Sequence, residues 1–194
     1  MENKEFTPSE SLALIANVIL EAKSRFKDNG FSFILIGLCS FIASLGQFIL
    51  LKLEYYQINY YPYFIMPIAA AVTFFYYKKK RTGVKSKNII GTLFSIISAI
   101  MGINLMIAGF FFWGKFGIAL IPFMLILFSI WSALTGVLIK NKVFLISGIV
   151  INIIAYMSFF IGRDYHPLIL SIVSLIGIVV PGIILNYSSK EGNV

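Results

Sequence analysis

Reactive and ligating side chains are scarce in this chain of 194 residues, which has one cysteine, one histidine and eight carboxylates. Cys39 stands alone within an apolar run. An intrachain disulfide and a paired-thiol redox motif are therefore excluded. The single His166 excludes bis-histidine haem ligation by one chain. Only Glu54 and Asp164 lie outside the terminal arms, so too few ligands remain for a dedicated metal cage. General acid–base chemistry lacks its residues for the same reason, and no cofactor site is expected. Charge as a whole is sparse at 12% of residues, against about 25% in an average soluble domain.

What fills the chain instead is apolar: 59% of residues are hydrophobic and the mean hydropathy is +0.90. This composition is that of an integral membrane protein. Apolar runs long enough to cross a core of about 30 Å, which takes roughly 20 helical residues, occupy 31–51, 59–77, 89–113, 116–139, 143–162 and 167–187. The expected fold is thus all-α, a six-span bundle (31–187) preceded by a leader (1–30) and followed by a short tail (188–194). The connections between spans are short, so neighbouring helices form antiparallel hairpins. The run 89–139 is almost unbroken, and "FFFWGKFG" at 110–117 is read as its tight turn.

The net charge of +8 is not that of a nucleic-acid binder, since six of the sixteen basic residues form one run, "KKKRTGVKSK", between two apolar segments. Such clustering marks a cytoplasmic membrane loop. With both termini inside, one side of the membrane carries thirteen basic residues, and the other carries only Lys52, Lys115 and Arg163. The expected location is the bacterial cytoplasmic (inner) membrane with both termini cytoplasmic. Thirty residues rich in acid precede the first apolar run and no small-x-small cleavage pattern follows it, so that run reads as a span rather than a cleaved signal peptide. Lys78, Lys79, Lys80, Arg81, Lys85 and Lys87 are candidates for anionic-lipid contact, at about 1 kcal/mol each near the surface.

The leader is of a different kind. Thr7 with Glu10 makes a capping box, Pro8 suits the first turn, and Gly30 suits the stop. At 100° per residue Leu12, Ile15, Ile19, Ala22 and Phe26 share one face, opposite Glu10, Asn17, Glu21, Ser24 and Asp28. Over 8–29 three basic and three acidic residues cancel, unlike helices drawn to anionic membranes, which are rich in basic residues. Leu12, Ile15, Ile19 and Phe26 are therefore the candidate face for docking a protein: the bundle itself, a second copy or a cytoplasmic partner.

Within the spans, Gln47, Asn104 and Asn152 fall one in each odd-numbered helix. They form either a polar pocket or a set of helix contacts, the latter worth on the order of 1 kcal/mol per bond. Small residues recur at contact spacing in Ser40/Ser44, Ser98/Gly102 and Ser132/Gly136. Pro67, Pro122 and Pro181 read as interior to their spans, and "VVPG" at 179–182 as a kink. "GRDYHP" gathers Arg163, Asp164, Tyr165 and His166, either as a ligand-binding or pH-sensing cluster or as a solvated turn.

The segments "ESLALIANVILEAKSRFKDNGFSFILIGLCSFIASLGQFILL" (10–51), "KKKRTGVKSK" (78–87), "VLIKNKVFLISGIV" (137–150) and "VVPGIIL" (179–185) together resemble an uncharacterised family of small multi-pass bacterial inner-membrane proteins with an amphipathic N-terminal helix. Gly37, Leu38 and Cys39 stand where that family often has tryptophan. The resemblance implies a membrane-embedded helical fold and no activity.

Two function classes follow. One is a non-enzymatic membrane protein acting through helix-mediated protein contact, as scaffold, sensor or regulatory partner. The other is a small oligomeric permease or channel with a mid-membrane amide pocket.

Overall fold

The structure, a computed structural model, describes residues 30–80, 89–139 and 141–191. The leader face Leu12, Ile15, Ile19 and Phe26 lies outside the described residues, as do Arg81, Lys85 and Lys87. All regular structure among the described residues is helical. Three stretches, Gly30–Lys52, Gly114–Leu138 and Arg163–Tyr187, are long and apolar enough to cross a membrane. Tyr61–Tyr76, Ser95–Phe111 and Lys142–Ser158 are apolar but shorter.

Helix α1 (Gly30–Lys52) follows the first apolar run. It ends in a Schellman motif, with Glu54 N–H donating to Leu51 O at 3.1 Å and Tyr55 N–H to Leu50 O at 2.9 Å. Glu54 takes the left-handed position at φ 63°, where glycine is usual. A 3-10 turn, Tyr61–Phe64, leads into α2 (Ile65–Lys80), and α3 is Ile89–Phe111.

The "FFFWGKFG" turn contains a single-turn helix, Trp113–Phe116, and then Gly117 at φ +53°, a conformation that side-chain-bearing residues rarely adopt. A 3-10 turn, Gly117–Ala119, then opens α4 (Leu120–Leu138). In α5 (Lys142–Ser158), Asn141 is the N-cap, its Oδ1 accepting from Val143 N–H at 2.8 Å. The last helix, α6 (166–191), is α-helical over His166–Ser174, widens to a π turn over Leu175–Val179, and is α-helical again over Val180–Glu191.

Two of the three prolines expected inside spans fall close to the start of the α-helical part. Pro67 and Pro122 fall in the first turns of α2 and α4, because 3-10 turns delay both α-helical starts. The amides of a first turn have no intrahelical partner, so a missing N–H there costs nothing. Pro181 alone is interior. Its ring leaves the carbonyl of Gly177, four residues back, without its usual donor. Ser147 Oγ of α5 donates to that oxygen at 2.6 Å.

Packing is unequal. Helices α4 and α5 form the most extensive pair, and α1 lies along the whole of α6. Small residues set both approaches. A Cβ added at Gly136 would stand 2.8 Å from Leu145 Cα, and one at Gly148 would stand 2.6 Å from Ala133 N. Where α1 meets α6, a Cβ at Gly182 would stand 2.9 Å from Phe33 Cβ. One core cluster is Leu125, Ile151, Ala155, Leu170 and Val173. A second gathers Phe33, Phe144, Ile178 and Leu185, with the Phe33 ring 4.6 Å from Phe144 and 4.9 Å from Trp131.

Helices α2 and α3 sit outside this four-helix core, α2 chiefly against α1 and α3 chiefly against α4. The outward faces are apolar, including Ile42, Ile49, Ile100, Ile103, Ile146, Ile153 and Ile176. A contiguous apolar exterior on this scale suits lipid rather than water.

Candidate functional site

The three amides expected to make either a pocket or helix contacts bond to separate partners. Gln47 engages both ends of its side chain: Nε2–H donates to Asn59 Oδ1 at 3.1 Å, and Oε1 accepts from Tyr63 OH at 3.0 Å. Asn59 in turn donates to the Tyr56 carbonyl. Gln47 thus ties the end of α1 to the tyrosine-rich connection and to the 3-10 turn that leads into α2. Asn152 Nδ2–H donates to Ser129 Oγ at 2.9 Å, linking α5 to α4, and the Ser129 hydroxyl in turn donates to Ile126 O at 2.7 Å.

Asn104 differs. It is exposed, and its Nδ2–H donates to Ile100 O at 2.8 Å, one turn back in its own helix. It makes no contact with another helix through that bond. The reason lies in the packing, since among the described residues α3 rests chiefly on α4. Asn104 instead lines an open groove of about 590 Å³ between α3 and α4. The rest of that lining, Ile97, Ile100, Ile107, Phe123 and Leu127 among it, is apolar.

Serines carry most of the remaining polar contacts between helices. Ser40 Oγ and Ser174 Oγ are 2.8 Å apart where α1 crosses α6, and Ser44 donates back to Ser40 O at 2.6 Å. Ser132 Oγ donates to Phe144 O at 3.0 Å across the α4–α5 hairpin. Of the Ser98/Gly102 pair only Ser98 is used, accepting from Trp131 Nε1–H at 3.0 Å. Gly102 faces open space. The sequence pattern marks small residues without telling which have a neighbour.

In "GRDYHP", Arg163, Asp164 and Tyr165 are exposed, but His166 is 2% exposed. His166 Nε2–H is shared between Ser158 O at 2.9 Å and Ile161 O at 3.0 Å. Those oxygens belong to the end of α5 and the turn beyond it, where Ser158 O also accepts from Ile161 N–H at 3.1 Å, so the imidazole adds a side-chain cap to the carbonyls at the helix end. Neither a solvated turn nor an open titratable cluster describes this histidine.

Beside it, Lys52 Nζ lies 4.7 Å from the Tyr165 ring centroid and 5.6 Å from that of Phe48, a cation–π contact joining the end of α1 to the last turn. A charge count from sequence assigns Lys52 to a side but cannot find this partner.

Lys78 and Lys79 are exposed at the end of α2, where the basic run begins. Lys80 closes that helix. Among the described residues no three of His, Cys, Asp and Glu come together as a metal site. The arrangement therefore offers structural polar contacts, an apolar groove with one amide in its wall, and a basic helix end. No protein-family model, no curated protein and no solved structure matches this chain.

Proposed function

We propose that this is a six-span protein of the bacterial inner membrane, with both termini cytoplasmic, that works through helix-mediated contact and performs no chemistry of its own. The resemblance to small multi-pass inner-membrane proteins with an amphipathic leader belongs to the same proposal. The observation that carries it is the use made of the span amides. Gln47 is engaged at both ends and Asn152 bonds a neighbouring helix. Such bonds hold helices together and supply no converging polar wall for a solute.

The leader supplies the contact surface. Its face of Leu12, Ile15, Ile19 and Phe26 gains about 1.5–3 kcal/mol per buried side chain before ordering costs. That is enough to fix a helix that is marginal alone. Its zero net charge favours a protein surface over an anionic bilayer, and the candidates are the bundle's own inner face, a second copy or a cytoplasmic protein. The lipid bilayer itself is the other partner, with Lys78, Lys79, Lys80, Arg81, Lys85 and Lys87 at its anionic surface.

The test is a photo-crosslinking residue at position 19 in the full-length protein, in membranes and again after detergent extraction. Capture of the chain's own loops, a second copy or one reproducible protein supports contact. A small molecule retained through purification and lost on Gln47→Leu or Asn152→Leu overturns it in favour of a permease.

A further inference from the structure

Helix α3 carries one exposed amide, Asn104, within an otherwise apolar stripe. Ile97, Asn104 and Phe111 are seven residues apart, with Ile100 and Ile107 in the intervening turns. Spacings of three and four residues form the seam of a two-stranded coiled coil, and Asn104 stands at its centre. A single amide in such a seam is the device that fixes register and favours two strands.

The surface is open. Phe111, Ile100 and Ile107 are all exposed. Asn104 donates one proton to Ile100 O, while its carbonyl oxygen and second N–H have no partner among the described residues. The amide lies seven residues from the end of α3, about 10 Å along the axis at 1.5 Å per residue, within the hydrocarbon if α3 spans. An unmatched amide there costs free energy, and an acyl chain offers it neither donor nor acceptor.

A second copy of this chain matches it by symmetry. Across a two-fold axis along the membrane normal, each Asn104 donates Nδ2–H to the other's Oδ1, because an isologous contact places each group opposite itself. The groove between α3 and α4 then receives the partner's isoleucines. We propose that the protein is a homodimer in the membrane, joined through α3 with the Asn104 amides paired at the axis.

This inference rests on α3 crossing the bilayer, as in the six-span reading. The experiment uses the full chain in the Cys39→Ser background, reconstituted at a series of protein-to-lipid ratios, with dimer fraction read by energy transfer between labelled copies. Asn104→Leu is expected to weaken dimerisation at least about tenfold, since two membrane hydrogen bonds of the order of 1 kcal/mol are lost. Asn104→Gln, which keeps the amide, should retain most of it.

Cysteines replacing Ile100 or Ile107 should crosslink between copies, while one replacing Ile153 on the outer face of α5 should not. Asn104 is exposed, so the leucine variant should keep the wild-type melting temperature. If it does not, Ile100→Trp, which adds bulk at a seam position that is exposed in the monomer, serves in its place. A wild-type protein monomeric at every ratio overturns the proposal. So does a dimer indifferent to both Asn104→Leu and Ile100→Trp. Should cysteine accessibility place Ile100 in water, the spanning reading itself fails and this inference with it. If Ile100 is protected from aqueous reagents and the dimer ignores both substitutions, only the inference fails.

Discussion

Asn152 and Asn104 are the same residue type at similar depths of two apolar helices, yet only one has found a partner in another helix. Asn152 faces Ser129 at 2.9 Å, and Ser129 is 2% exposed. Replacing Asn152 by Leu should lower thermal stability in detergent by about 1 kcal/mol, since an interhelical bond is lost while the hydroxyl keeps its bond to Ile126 O. A double-mutant cycle with Ser129→Ala checks it. The two losses should be less than additive if the bond is the shared cause. An unchanged melting temperature would mean that the bond contributes nothing net. Sequence marks both amides as polar groups needing a partner and goes no further, because partner choice depends on which helix faces which. His166 shows the same limit, since its spacing from Ser158 becomes a cap only when the 163–165 turn folds back.

At the scale of elements, helix limits were legible wherever an apolar run meets a charge or a turn residue. The run 31–51 became Gly30–Lys52, and 143–162 became Lys142–Ser158 with Asn141 as cap. Two kinds of local event were not legible. Glu54 ends α1 in a left-handed conformation without the glycine that normally announces it. The break at Pro181 was readable as a kink, but its form, a π turn with Ser147 donating to Gly177 O, depends on α5 lying alongside.

Glycine, by contrast, is decided entirely by context. Gly148→Leu should prevent closure of the α4–α5 hairpin, because its Cβ would meet backbone at Ala133 N and Ser129 O, at 2.6 and 2.8 Å. Gly102→Ala meets nothing. It should raise the stability of the isolated protomer by roughly 0.5–1 kcal/mol through helix propensity. Yield and melting temperature of the two variants, side by side, give the comparison. Equal tolerance at both sites would contradict the close α4–α5 approach.

For the whole molecule, composition foretold the helical, apolar architecture, whereas the division into a tight core of α1, α4, α5 and α6 with peripheral α2 and α3 could not be read from it. Hydropathy measures how much a segment prefers lipid to water, and a core helix and a lipid-facing helix score alike. Orientation rests on charge alone. Thirteen basic residues fall on one side of the six-span arrangement and three on the other. The arrangement places the 52–58 connection outside and the 81–88 connection inside, so the two can be labelled as a pair. In the Cys39→Ser background, Gln57→Cys should react with an impermeant maleimide in intact cells, because Gln57 is an exposed position of the turn after α1. Thr82→Cys, within the basic run, should react only after the membrane is permeabilised. Reaction of Thr82→Cys in intact cells would invert the topology. Reaction of both would mean that α2 does not cross, reducing the number of spans and returning the leader and the tail to opposite sides. The second outcome has a physical basis worth testing, since the apolar part of that segment, Tyr61–Tyr76, is shorter than about 20 residues and crosses a 30 Å core only with the aromatic and lysine flanks at its ends seated in the interfaces.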